Sequence, residues 1–211
     1  MNSKYYLFKI NIKILIVIIL ISLFLFSTIL KAIEQTWSDY EKIKYSPLIF
    51  EDISSLIGNG SFTNWYSEGK MDAGKKAHHY WIENYTDKGF FVIEYLAMPP
   101  GWHITGSGND KKFITKKAEY LLNTKNNPLK RLKKRDIERH RDINNNVVAY
   151  VYFDFEGSSC IIFKKGYFRT QSGFVPSAHD SETLVGVFCK NSGTIDEIFA
   201  QQLIDSTELK Q

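Results

Sequence analysis

Residues Ile14–Leu30 are seventeen in a row without a charge, bracketed by Lys13 and Lys31, and nothing else in the chain limits its fold and location as strongly. At about 1.5 Å per residue such a helix covers ~26 Å of a ~30 Å hydrocarbon core, and Ile10 and Ile12 extend it if Lys13 snorkels. Spanning is therefore feasible. A buried helix of a soluble protein is the poorer reading, because such helices rarely run this long without a polar face. Lys4, Lys9 and Lys13 precede the run and Glu34, Asp39 and Glu41 follow it, a bias that places the N-terminus in the cytoplasm. The run exceeds the roughly 7–15 apolar residues of a signal peptide, and Leu30-Lys31-Ala32 is a poor cleavage site. Residues 1–31 are thus expected to remain as an anchor, with a cleaved signal as the alternative. The expected location is the inner membrane, single-pass, with the C-terminal domain in the periplasm, or secretion after cleavage.

What remains, residues 32–211, is long enough for one domain with a sizeable core and too short to expect two. Aromatic residues make up 15% of the chain, which argues against a disordered stalk. The net charge of +4 belongs to the first segment. Setting aside Lys4, Lys9, Lys13 and Lys31 leaves 23 basic against 23 acidic residues in the outer domain. Within that neutral domain, Lys125 to Arg141 gathers eight basic residues against Asp136 and Glu138.

The chain order predicts mixed elements. Thr36 to Tyr45 reads as a juxtamembrane helix. Ser46-Pro47 reads as the start of a helix of about eleven residues that Gly58 stops. Asn59 to Gly74, rich in glycine, reads as loop. His79–Tyr85 and Gly89–Ala97 flank a three-residue turn and predict a hairpin, its second run apolar on both faces and therefore central. Phe113 to Leu122 has helical spacing. The basic segment reads as a helix anchored by Leu129, Leu132 and Ile137. Val147 to Phe155 alternates as a strand with one tyrosine-rich face, and Glu156-Gly157-Ser158-Ser159 turns it back into Cys160–Phe163. Tyr167 to Ala178 reads as polar loop and Thr183 to Cys189 as a strand. Thr194-x-x-Glu197 predicts a capping box for a last helix with Ile195, Ile198, Phe199 and Leu203 as its stripe. Strands and helices mix without βα alternation, so the expected class is α+β with a mostly antiparallel sheet and a C-terminal helix.

Cys160 and Cys189 are the only cysteines, one opening a predicted strand and the other closing one. Neighbouring strands would bring them together, and outside the cytoplasm such a pair is normally oxidised. A disulfide is expected, with two separate buried thiols as the alternative. A redox-active pair is disfavoured because C-x-x-C spacing is absent.

Tyr150-Val151-Tyr152-Phe153, then Cys160-Ile161-Ile162-Phe163, then Leu184-Val185-Gly186-Val187-Phe188-Cys189 before a capped helix, resembles an uncharacterised family of bacterial envelope proteins. The resemblance covers Tyr150 to Ile204. It implies an exported protein with a paired cysteine and no stated activity.

Motifs for chemistry fail on inspection. His78, His79 and His103 lack acidic partners at ligand spacing, so no metal is expected. Ser67-Glu68-Gly69-Lys70 matches S-x-x-K but lacks its companion elements. Ser177, His179 and Asp180 are too close in sequence for a triad, and no nucleophile elbow exists. Tyr80, Trp81, Tyr85 and Trp102 are candidates for a groove that stacks sugar rings or peptides, with core packing an equal alternative. Lys130, Arg131, Lys133, Lys134 and Arg135 are the candidate membrane-surface patch. A solvated face is the plainer reading, and the compartment argues against nucleic acid.

The expectation is a non-enzymatic, membrane-tethered envelope protein that binds a partner, such as another envelope protein, and needs no cofactor. The alternative is an envelope hydrolase whose site is scattered through the sequence. A reporter fused after Gln211 is expected to be active outside the cytoplasm. Activity confined to the cytosol would contradict this topology.

Overall fold

The computed structural model describes residues 36–50, 53–71, 74–99, 102–104, 107–167 and 180–209. The predicted membrane segment and all but the first residue of the predicted Tyr167–Ala178 loop lie outside them. Among the described residues no helix is long and apolar enough to cross a membrane. Residues 37–211 form one unit.

In chain order the strands are β1 (Thr36–Trp37), β2 (Glu41–Ile43), β3 (Leu48–Phe50), β4 (Thr63–Lys70), β5 (Lys76–Tyr85), β6 (Gly89–Ala97), β7 (Glu138–Arg141), β8 (Val147–Phe155), β9 (Ser158–Tyr167), β10 (Glu182–Lys190) and β11 (Thr207–Leu209). The helices are α1 (Ile53–Ile57), α2 (Asp110–Leu121) and α3 (Glu197–Asp205). Among the described residues, nine strands form one sheet in the order β1-β4-β5-β6-β10-β9-β8-β7, with β2 also on β4, and β3 pairs with β11 in a small second sheet. The pairs from β4 to β7 along this path are antiparallel.

The sheet buries both faces. Phe91, Ile93 and Tyr95 of β6, with Leu184 and Phe188 of β10, meet Ile53, Ile57, Leu203 and Ile204 from α1 and α3 on one side. Val92, Val185, Val187 and Ile162 meet Phe113, Ile114, Ala118 and Leu121 of α2 on the other, joined by Leu129, Leu132 and Ile137. Two covered faces explain why β6 and β10 read as continuous apolar runs rather than alternating ones. The expected central hairpin, the strand at Val147–Phe155 and its return partner are all present.

Several expectations are corrected. Thr36 to Tyr45 is not helical but supplies β1 and β2, because aromatic and β-branched residues there find the open edge of β4. The predicted helix after Ser46 shrinks to α1. Ser46 Oγ accepts from the Leu48 amide at 2.9 Å, yet Leu48–Phe50 pairs with β11, and helix forms only from Ile53. Gly58, at φ +92°, ends it as predicted. The predicted loop over Asn59–Gly74 contains β4, whose pairing with β5 outweighs the flanking glycines. The basic segment is not an α-helix: its end is drawn into pairing with β8, and it folds as turns, a 3₁₀ turn at Lys134–Asp136 and β7. Asp196, not Thr194, caps α3, accepting from the Phe199 amide at 2.8 Å. Ile198 consequently faces solvent, while Ala200, Leu203 and Ile204 are buried.

Cys160 and Cys189 sit directly opposite one another on β9 and β10, with Cα atoms 4.1 Å apart, and are disulfide-bonded. That is the close spacing of antiparallel pairs that lack mutual backbone bonds. Joining positions 29 residues apart stabilises the fold by about 3.6 kcal/mol in the chain-entropy account. Cys160→Ser with Cys189→Ser is expected to lower unfolding free energy by about that amount in urea titrations. Alkylation of both thiols in the non-reduced protein would contradict the bond.

Candidate functional site

Strand alternation puts Trp81, Glu83 and Tyr85 of β5 on one face, and the register sets Trp65 of β4 and Glu94 of β6 on either side of Trp81. Val92 lies opposite Glu83 and Phe90 opposite Tyr85. Helix α2 packs over β6, β9 and β10 on this face and stops at Leu121, so it leaves part of the β4–β5 surface uncovered. Tyr120, Leu121, Leu122 and Asn123 from the helix end form one wall of the resulting groove. Phe155 and Glu156 at the β8–β9 turn form another, and Tyr40, between β1 and β2, closes in from the edge. The groove holds about 690 Å³, a size suited to a small organic ligand.

Aromatic rings dominate it. Trp81 and Tyr120 meet edge to face with centroids 5.3 Å apart, and Tyr85 stacks on Phe90 at 6.2 Å. Tyr40, Tyr85 and Tyr120 are 43%, 68% and 48% exposed, so these rings are presented to solvent instead of being spent in the core. The polar groups of the lining are Glu83, Glu156, Asn123, the tyrosine hydroxyls and the two indole N–H groups, of which Trp81 Nε1 donates to Glu83 Oε2 at 3.4 Å, and neither lysine nor arginine lines it.

Next to the groove lies a buried charge network. Glu94 is 3% exposed. Its Oε1 is 2.8 Å from His79 Nε2, and its Oε2 is ion-paired with Lys117. This contact sets the imidazole directly against the carboxylate. His79 Nδ1 is 2.7 Å from Tyr40 Oη, and the Trp37 ring meets the imidazole at 5.5 Å. Lys117 Nζ also lies 5.5 Å from the Tyr120 ring and 5.7 Å from that of Phe113.

Burial pushes the Glu94 carboxyl up, but His79 and the Lys117 ammonium outweigh it and hold the acid below its ordinary value. It stays ionised. Tyr40 is driven far upward, by burial first and then by its hydrogen bond with Tyr120. Tyr85 is raised by burial and by Glu83. Tyr40 and Tyr85 are therefore neutral hydrogen-bonding groups, and the arrangement is suited to ring contact and hydrogen bonding.

Of the four predicted stacking residues, Trp81 and Tyr85 line the groove. Tyr80 points to the opposite face and stacks on Tyr95 at 5.9 Å, as adjacency to Trp81 in a strand requires. Trp102 is not part of the lining. Tyr40, Trp65, Tyr120 and Phe155 were not legible as groove residues; recognising β4 as a strand would have paired Trp65 with Trp81. His78 and His79 face opposite sides, His78 bonding Tyr66 Oη at 2.8 Å, and no group among the described residues could hold a metal ion. Ser67 Oγ donates to the Ser38 carbonyl at 2.6 Å, and Lys70, three residues on in the same strand, faces away. Ser177 and His179 lie outside the described residues, while Asp180 pairs with Lys164 at 2.8 Å. Lys130, Arg131, Lys133, Lys134 and Arg135 are all exposed above the buried Leu129, Leu132 and Ile137.

No protein-family model matches the chain, and no curated protein or solved structure matches it.

Lys117→Met leaves the Glu94 carboxylate short of a partner and is expected to destabilise the fold by about 3 kcal/mol. Glu94→Gln in that background should recover part of the loss. Because the folded acid is depressed, its contribution is complete above the ordinary carboxyl value of 4.5. It declines as pH falls below that and is gone once pH has passed through the folded value. Urea titrations between neutral and acid pH should show this decline in the native chain and a shallower one in Glu94→Gln.

Proposed function

We propose that this chain is a binding module of an oxidising, extracytoplasmic compartment, tethered through Ile14–Leu30, whose aromatic groove holds a small ring-bearing or apolar ligand. The groove carries the reading: an open concavity with Trp65, Trp81, Tyr40, Tyr85 and Tyr120 around it. Rings that remain wet without a ligand gain hydrophobic and stacking energy when one covers them. The Cys160–Cys189 disulfide supports the compartment, and the Tyr150–Ile204 resemblance to exported bacterial envelope proteins agrees with it. The exposed basic turn around Lys130, Arg131, Lys133, Lys134 and Arg135 would steady the module against anionic head groups.

A hydrolytic role gains less support. Tyr40, His79 and Glu94 form a chain of contacts like that of a nucleophile, base and orienting acid, but the group in the nucleophile's place is a phenol pushed further from ionisation. Catalysis near neutrality would need the opposite shift.

A neutral ring-bearing probe, p-nitrophenyl β-glucoside, is expected to quench tryptophan fluorescence saturably. Trp81→Ala should weaken its binding about tenfold or more, consistent with loss of a central aromatic contact, with far-UV circular dichroism unchanged. Saturable binding that Trp81→Ala leaves intact would place the ligand elsewhere.

A further inference from the structure

The charges around the groove narrow its ligand further. Glu83 and Glu156 both line it without a lysine or arginine beside them. Among the described residues neither forms an ion pair. The nearby ammonium of Lys117 is committed to Glu94. The lining is therefore net negative and repels phosphates, carboxylates and sulfates. Seven of its thirteen residues are aromatic, and the face of an aromatic ring carries the negative end of its quadrupole. Carboxylates and ring faces in one concavity add to a single potential, attractive to positive charge. Lys117, at 5.5 Å from the Tyr120 ring, illustrates the affinity of this wall for an ammonium.

A second observation points the same way. Glu156 and Gly157 form a two-residue hairpin turn with φ of +50° and +82°, the form that prefers asparagine, aspartate or glycine at its first position. Glutamate there accepts a left-handed backbone that costs about 1 kcal/mol, and it sets a carboxylate at the groove.

We infer that the groove is a cage for a methylated ammonium head group of the choline type, with Trp81, Tyr85 and Tyr120 against the methyls and Glu83 and Glu156 supplying the counter-charge. This rests on the groove being the binding site. It adds the sign and chemistry of the ligand. Methylated ammonium suits rings better than a primary amine because its charge is diffuse and its surface apolar.

The test compares choline with 3,3-dimethylbutan-1-ol, its neutral isostere, by calorimetry and tryptophan fluorescence on the detergent-solubilised full chain. Choline is expected to bind about tenfold more tightly or better, from cation–π attraction and the two carboxylates. Glu83→Gln and Tyr85→Leu should each weaken choline severalfold and narrow the gap to the isostere. Glu156→Asn suits the turn better, so it should reduce choline affinity while the thermal midpoint holds or rises. Phosphatidylcholine vesicles separate the sources: binding to both vesicles and free choline marks a lipid head group, and binding to choline alone marks a free metabolite. Equal binding of choline and its isostere overturns the cation inference and leaves the groove reading standing. Failure of choline while p-nitrophenyl β-glucoside still binds does the same. Failure of all three ligands removes both.

Discussion

The antiparallel pairing of β6 with β10 is the constraint on which the molecule depends. Among the described residues it is the only join in the main sheet between the β4–β6 strands and the β7–β10 strands, and it links residues about ninety positions apart, from Gly89 opposite Lys190 to Ala97 opposite Glu182. Every residue of β10 except Lys190 is buried. Neither face could be left in water, so each half of the chain must provide cover: α1 and α3 on one side, α2 and the chain after it on the other. Gly186, at the middle of β10, shows how tightly this is filled. A Cβ there would lie 2.4 Å from the Phe163 ring of the neighbouring strand, so that ring occupies the space a side chain would need.

Burial on both faces also explains the charges in the interior. Lys164 and Lys165 are consecutive in β9 and point to opposite layers. Lys164 pairs with Asp180 and Asp110. Lys165, fully buried, reaches Asp142 at 3.0 Å and the Thr207 carbonyl at 2.8 Å. Burial alone would raise the Asp142 carboxyl, but the bonds from Lys165 and Asn146 prevail and keep it low. Through these contacts β9 fixes the chain just after β7, the start of β11 and the end of the segment before β10. Buried pairs of this kind add little net stability over apolar packing, yet breaking one is expensive; here they fix which connection lies on which face.

The sequence is legible where local pattern and tertiary demand agree. The hairpin of β5 and β6, the alternation of β8, the end of α1 at Gly58 and the cysteine pairing all follow from residues read in place. It misleads where partners far along the chain decide. Leu48–Phe50 follows a helix-start signal but is drawn into pairing by β11. Thr63–Lys70 sits among glycines yet is held by β5. The Lys-Lys pair after Phe163 hides the second half of β9, because consecutive lysines read as surface unless their three aspartate partners are known. The groove was half visible for the same reason. Trp81 and Tyr85 share a strand and a face, but Tyr40, Trp65, Tyr120 and Phe155 reach them only through the register of β4, the length of α2 and the tightness of the β8–β9 turn.

That dependence makes the groove a rigid site. Phe90, in its lining, belongs to the residue pair opposite Cys189, which is covalently tied to Cys160. Trp81 is flanked by Glu94, whose ion pair reaches Lys117 of α2 on one side and whose contact with His79 reaches Tyr40 on the other. The helical wall is thus tied to the floor by buried charge, and a ligand need not assemble its own site. Preorganisation of this kind lowers the ordering penalty of binding. It also gives the buried carboxylate a structural part: Glu94 links α2, through Lys117, to the β1–β2 segment, through His79 and Tyr40, beside the groove.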